Sequence, residues 1–595
     1  MPTLRRQASF VLALALSAAP ASLAAVLRVD ASLNTGANDG STWADAFQGR
    51  LGLAAAVAAA QPGDEIWIAD GVYAPAGAGG SRAASFAPQA GVALLGGFAG
   101  GETSADQRDP SLHTAILTGD LNANDGPPAN GFPTGAAENS FHVVRIDSGD
   151  GVVLDGLTIR AGNADNGAAQ LERSGGNISI RAGAPTIRDC VIENGYAGWL
   201  GAGVCATDSS PQFIDCVFRA NRADFAGSGA AVADQAVATF TNCDFTANYC
   251  GQGAGAYAGR VSFNSSAAIP GVATFTDCRF TSNIGVISSP SGGGILSRGG
   301  HVTAVGCVFL DNEVVGGGGA CYLNGGTAFL DRCDFVNNSA PGDGGGAIYF
   351  DGGNGGAIVF ESIPVVSNSR FVGNNGAILV GFDAVAQITN CTIANNSFGF
   401  GFLTWPTFFV GADEAATLSN TVVWGNNDQS LFGGSGAVLA GQGPYTLDRC
   451  IIQGWTTAMG GDATAADPLF RDADGPDNLV GTIDDQVLPR FGSPAIDAGI
   501  NASVPAGATL DLAGLPRIID ADAALGGDGP VVDLGAHEHP CAPDVTADGL
   551  VNFADLNALL GAFGLPPAGP EDINEDGAVN FADLNILLSA FGGAC

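Results

Sequence analysis

Two stretches near the C-terminus carry side-chain oxygens at a spacing that suits a hard cation. The first, DVTADGLVNFADLNALLGAFG, starts at Asp544, and the second, DINEDGAVNFADLNILLSAFG, starts 28 residues later at Asp572. A twelve-residue calcium loop draws oxygens from positions 1, 3, 5, 9 and 12 and a backbone carbonyl from position 7, with glycine at position 6 for the sharp turn. The second copy supplies Asp572, Asn574, Asp576, the Ala578 carbonyl, Asn580 and Asp583 around Gly577. The first supplies Asp544, Thr546, Asp548, the Leu550 carbonyl, Asn552 and Asp555 around Gly549. Both end on Asp where Glu is usual. Neutral Thr546 predicts weaker binding in the first copy, because affinity rises with ligand charge. After each loop, Phe553, Leu556, Leu559, Leu560 and Phe563, and Phe581, Leu584, Leu587, Leu588 and Phe591, predict one apolar face on a helix. The plainer alternative is two acidic turns that cap two helices.

Other chemistry is sparser. The segment DADGPDN at 472–478, with Asp484 and Asp485, has DxDGxD spacing suited to calcium and equally suits a solvated loop. The histidines His113, His142, His301, His537 and His539 are scattered, and His537-Glu538-His539 reads as a surface turn with metal binding as the alternative. The 595 residues include 22 Arg and no Lys against 59 acidic side chains, a formal charge of −37. Nucleic-acid binding is excluded, since it rests on counterion release by clustered cations. Lysine bases, Schiff bases and a Walker lysine are excluded outright. Charged residues are only 14% and apolar residues 46%, so there is ample surface to bury and charge-driven disorder is not expected. Calcium is the natural partner of such a chain.

The elements that must carry these residues repeat. TIRDCVIENG, QFIDCVFRAN, TFTNCDFTAN, TFTDCRFTSN, TAVGCVFLDN, FLDRCDFVNN, QITNCTIANN and TLDRCIIQGW align on Cys190, Cys216, Cys243, Cys278, Cys307, Cys333, Cys391 and Cys450, with Ser369 and Thr421 in the same slot of two further copies. Slots recur every 22 to 36 residues, the period of a solenoid coil with variable loops. In TFTNCDF, Cys243 and Phe245 share a face and Phe240 has the opposite parity, so a bend must separate two short strands. Asn221, Asn248, Asn283, Asn312, Asn338, Asn374, Asn396 and Asn426 follow the slots at a constant offset, predicting a stacked ladder in left-handed corners. Glycine turns such as GAGAYA and GGGAIYF account for much of the 90-residue glycine content. The fold expected is mainly β, a parallel β-helix, with a capping helix over Phe47–Ala60 and a strand over Glu65–Ala69. Domains are expected at 1–25 (a secretory signal, from Arg5-Arg6, the apolar run Phe10–Ala18 and small residues to Ala24), 26–540 and 541–595. The residues after Arg5-Arg6 fit a twin-arginine signal poorly. No transmembrane segment is expected in the mature chain, which places it outside the cell or on its surface. The slot cysteines are expected as buried free thiols, within disulfide reach of stacked neighbours, and Cys541 and Cys595 as a possible clasp of the last domain.

The FxxN units, Phe218–Asn221 through Phe371–Asn374, with turns such as Gly345-Gly346-Ala347-Ile348, resemble polymorphic outer-membrane-protein repeats and the wider pectin-lyase-like right-handed β-helix superfamily. NDGSTWADAF at 38–47, VVLDGLTIRAGNAD at 152–165, GSPAIDAG at 492–499 and VVDLGAHE at 531–538 look like a bacterial exported β-helix family. Right-handedness comes from that resemblance alone. The duplicated loop–helix module resembles a type I dockerin, which implies a cohesin-like partner and association with polysaccharide-degrading enzymes. Where many dockerins present Ser/Thr to cohesin, this chain has Phe553-Ala554 and Phe581-Ala582. The superfamily implies a polysaccharide lyase or glycoside hydrolase if the chain is an enzyme. A lyase of that kind uses calcium on carboxylates and a base, often arginine, for which Arg279 beside Asp277, with Asp244 one coil earlier, is the local candidate. The lysine and Gly-His-Gly of polygalacturonase-like hydrolases are absent. Two expectations follow: an extracellular calcium protein that binds or breaks down polysaccharide or cell-surface glycan, or a non-catalytic adhesin or structural protein.

Overall fold

A single coil explains the whole body. Val237–Thr241 runs as a strand, Asn242 turns it through a left-handed conformation (φ 51°), and Asp244–Thr246 forms the second strand. Ala247 (φ 51°) makes the next corner, Asn248 turns inward, and Ala256–Gly259 completes the coil as a third strand. The next coil repeats this in register, Phe240 beside Phe275 and Phe245 beside Phe280. Stacking such coils builds parallel sheets of 15, 14 and 11 strands, with a 6-stranded strip at one corner. In this computed structural model the described residues are 24–595, apart from 130–131, 166, 168, 262–268, 286–290, 343, 353–362, 382–383, 398–407, 411–413, 427–438, 442–443, 520–529, 541–542, 547–549, 566–568, 575 and 593–595. The expected signal segment and the Cys541–Cys595 clasp fall largely or wholly outside them.

Identical residues in successive coils make columns inside the solenoid. Phe218, Phe245, Phe280, Phe309, Phe335 and Phe371 stack with centroids 4.6–4.9 Å apart and near-parallel rings. A second column, Phe213, Phe240 and Phe275, meets the first edge-on. Each such pair adds about 0.5–1.5 kcal/mol beyond area burial. All eleven described cysteines are buried free thiols. The asparagine ladder is present, with one correction. The left-handed residue is the one before each ladder position (Ala220, Ala247, Ser282, Asp311, Asn337, Asn395), while the ladder asparagines lie inside the solenoid. Their buried amides join adjacent coils, and that role suits a side chain turned inward.

The ends differ from expectation. The capping helix, α1, covers only Gly52–Ala59, burying Leu53, Ala56 and Val57; Phe47-Gln48 is instead a short strand beside Val29-Asp30. The strand Glu65–Ala69 is present. Coils run to Ala463-Thr464, and the chain then folds back along the outer surface of the 14-stranded sheet. Ala495 and Leu534 cover Val422 and Ile451, while Val487 covers Val372 and Ala394. The described residues of 470–540 are therefore a strap and not further coils. Inside it Arg517, 1% exposed, lies 3.1 Å from Glu538 and donates to the Asp533 and Gly535 carbonyls. Two helices, α2 (Phe553–Ala562) and α3 (Phe581–Ala590), follow the strap. Among the described residues no helix is long and apolar enough to cross a membrane.

Candidate functional site

Each C-terminal loop is built around its last carboxylate. Asp583, fully buried, accepts the Asn574 and Asn580 amides on its two oxygens at 3.0 and 2.8 Å. It thereby closes the loop and completes the capping box of α3, whose N-cap is Asn580. Asp572 accepts from the Asp576 and Gly577 amides, and Asn574 and Asn580 each donate to the Asp576 carboxylate. The Ala578 carbonyl accepts from Asn580 at 2.9 Å. Those side-chain hydrogen bonds hold Asp576 below the usual carboxylate range. The first loop repeats the design. Thr546 donates to Asp555 through both its amide and its hydroxyl at 2.9 Å, and Asn552 donates its amide at 2.7 Å. Burial alone would raise Asp555, yet the Asn552 and Thr546 hydrogen bonds outweigh it and leave the group low. Asn552 also donates to the Leu550 carbonyl, Asp544 is the first residue of this loop, and Asp548 with Gly549 lies outside the described residues. The donors are all oxygens, the set a hard divalent ion takes, so the residues present fit calcium.

The helices do not share a single apolar face. Leu559 and Leu587 are buried with Val551 and Val579, while Phe553 and Phe581 are 70% exposed and Leu560 and Leu588 50% exposed. The two halves match closely. Phe553 meets Phe591 edge-on at 5.0 Å and Phe563 meets Phe581 at 5.1 Å.

The other candidates separate. Asp244 and Arg279 are register partners on adjacent strands, both exposed, with no ion pair between them among the described residues. Asp277 is an exposed left-handed corner residue (φ 54°), the position held by Asn242 one coil earlier. The 472–485 loop anchors the strap. Asp485 accepts from the Gly481 amide and from Asn395, and the Asp485 and Ile483 carbonyls accept from Arg370. His537-Glu538-His539 is no surface turn. Glu538 and His539 are buried, and burial pushes His537 down to about 3 and Glu538 up to about 9. A cleft of about 800 Å³, unforeseen from the sequence, is lined by Glu65, Asp106, Arg108, Asp109, Arg188 and Asp189. Buried Asp155 takes Arg108 at 2.6 Å and Arg188 at 2.5 Å there. Only its register with Arg188 could have signalled it.

The coils agree with a match to a known family model. A family model described as "Right handed beta helix region" matches residues 134–267 and 261–410. The crystal structure of pectate lyase Pel9A is similar at 14% identity, covering 87% of this chain and 97% of that one, with a TM-score of 0.33. The catalytic unit of a thermostable GH87 alpha-1,3-glucanase from Streptomyces thermodiastaticus strain HF3-3 is similar at 15% identity, covering 75% and 69%, with a TM-score of 0.40. No curated protein sequence matches. The chain is a parallel β-helix with a strap and a small helical module.

Proposed function

We propose that this chain is a secreted calcium-binding β-helix protein that engages extracellular polysaccharide, and that its C-terminal module serves attachment or stabilisation in the manner of a dockerin. The observation that carries the calcium reading is the matched pair of loops, each closed by a buried position-12 aspartate at the start of a helix. In this reading the ligands are Asp572, Asn574, Asp576, Ala578, Asn580 and Asp583, and Asp544, Thr546, Asp548, Leu550, Asn552 and Asp555. A bound calcium neutralises the loop carboxylates and stiffens the module. The exposed Phe553/Leu560 and Phe581/Leu588 pairs give it two equivalent apolar patches, which suit a protein partner such as a cohesin-like domain. Calorimetric titration of the full chain tests the loops. The full chain is expected to bind one to two more calcium ions than a chain carrying Asp544→Ala and Asp572→Ala, and equal binding by the two overturns the assignment.

The polysaccharide part rests on the sequence resemblances and on the long regular faces of the solenoid. Its test is incubation with uronic-acid polysaccharides, read by the absorbance of unsaturated products and by retention on immobilised polymer. Retention without products makes the chain a binder; products that survive Arg279→Ala remove that residue as the base. The second reading, a non-catalytic adhesin or structural protein, is favoured by the exposure of Arg279, Asp277 and Asp244 and by the absence of an ion pair between Asp244 and Arg279 among the described residues.

A further inference from the structure

The long loop of the first complete coil holds a carboxylate group in which several buried oxygens have no hydrogen-bond partner among the described residues. It leaves the strand Ala115–Thr118, closes on itself through the Gly126 amide and the Thr134 carbonyl, and returns to the strand Val144–Ile146. Closure brings Asp120, Asp125 and Glu138 together, with one carboxylate oxygen of each within 4.8 Å of the others. Asp120 is oriented by the Asn124 and Asp125 amides. One oxygen of Asp125 and one of Glu138 are buried without a hydrogen-bond partner. Beside them Asn139 has no exposed surface; its Nδ2 donates to Asp125 at 2.8 Å and to the Ala161 carbonyl, and its Oδ1 has no partner. Oδ1 and Nδ2 sit on one carbon, about 2.3 Å apart, so Oδ1 lies within about 5 Å of the Asp125 oxygen that Nδ2 bonds. Buried Ser140 and Asn163 each carry another unpartnered oxygen.

Three ionised carboxylates packed this closely repel one another, and a cation between them relieves the repulsion. The guanidinium groups nearby pair elsewhere: Arg50 donates to the Asp120 and Leu121 carbonyls, Arg82 binds Asp165 and the Asn139 and Asn163 carbonyls, and Arg160, which acts on Asp125 through its charge, faces Glu193. Calcium binds oxygens at about 2.3–2.6 Å, so ligand oxygens under about 5 Å apart can share one ion. There is no histidine or thiol in the group, and hard oxygens select calcium over zinc or copper. We propose that Asp120, Asp125 and Glu138, with the side-chain oxygen of Asn139, form a calcium site separate from the C-terminal loops. It would tie the 118–140 loop to the body of the solenoid. A cleft of about 630 Å³ is lined by Thr134 and Ala136 of the same loop together with Asn163 and Asp165.

The test uses the full chain with Asp544→Ala and Asp572→Ala to silence the C-terminal loops, titrated with calcium chloride by calorimetry. One calcium per chain is expected. Adding Asp125→Asn should weaken that binding by at least about tenfold, the range seen when a site's supporting groups are altered. Thermal unfolding separates binding from misfolding: metal-free Asp125→Asn should be at least as stable as its parent, because a repulsion is removed, and should lose the parent's calcium-induced rise in Tm. A loop-silenced chain that keeps its β-sheet circular dichroism and binds no calcium overturns the proposal, leaving the oxygens to water. Unchanged affinity in Asp125→Asn overturns it equally.

Discussion

Asn283 and Asn139 are both asparagines without exposed surface, and they live by different rules. Asn283 donates through Nδ2 to the Phe245 carbonyl and to Asn312, and its Oδ1 accepts from both nitrogens of Asn248. Its neighbours in the column do the same, so repetition satisfies every polar atom without special design. Asn139 stands where a long loop interrupts the repetition, and its oxygen is left over. A repeat solves the burial of polar groups once and copies the answer; an insertion must find its own. The changeover is visible at Asn177. There Gly195 occupies the ladder slot, and the Asn177 side-chain amide reaches in from just before the strand Ile178–Ile180 to bond Asn221.

The sharpest test of this contrast is Asn283→Ala. It strands the Asn248 donors, the Phe245 carbonyl and the Asn312 oxygen, and a loss of about 3–5 kcal/mol is expected, read as a shift in denaturant midpoint. A loss under about 1 kcal/mol would mean that the ladder is ornamental. Acid comes next. Burial holds His142 neutral, down to about 4 despite its hydrogen bond to the Gly175 carbonyl and the neighbouring Asp147, with Arg145 and Arg181 reinforcing the effect. The unfolded imidazole takes up a proton near pH 6.5 that the folded one refuses, so stability falls as pH drops from about 6.5 toward 4, by up to about 3 kcal/mol. Hydrogen exchange at pH 4.5 and 7 should therefore accelerate around residues 142–146 far more than around Asn248–Asn338, and His142→Asn should abolish the difference.

The changeover point gives a smaller effect. A methyl group at Gly195 would lie 2.6 Å from the Asn177 amide nitrogen, so Gly195→Ala should cost about 1–3 kcal/mol, measured by thermal unfolding. Smallest of all, Asp244→Ala on the outer surface should move stability by less than about 0.5 kcal/mol. A larger loss there would show that the outer columns hold the coils together as the inner ones do.

Those inner columns were legible in the sequence because each is one residue type at one repeated offset. The Cys, Phe and Asn slots named the strands and the bend between them. The two C-terminal loops were legible for a related reason: their oxygen-bearing residues lie within twelve consecutive positions, each fixed by the turn. The left-handed corner was misassigned by one position, because asparagine suits both a corner and a buried amide ladder and composition cannot say which use wins. The strap was not legible at all. Asp485 meets Arg370 and Asn395 across 90 or more residues, and nothing periodic connects them. Asp120, Asp125 and Glu138 were hidden in the same way, since loop closure and not spacing brings them together. The apolar helical face failed for a different reason: helical periodicity places Phe553 and Leu560 beside Leu556 and Leu559 but does not say how wide a stripe the small core covers.

The column of free thiols has a consequence for the life of the molecule. Burial pushes Cys391 and Cys450 up to about 12, so almost no thiolate exists at these two positions, and thiolate is the form that oxidants and disulfides attack. All eleven described cysteines are buried, so the folded coils also keep them from reagents in solution. Once a coil opens, the same thiols ionise near their ordinary value, meet one another and cross-link out of register. Unfolding then becomes a one-way event, and the lifetime of the protein is set by how rarely its coils part and not by how stable they are at equilibrium.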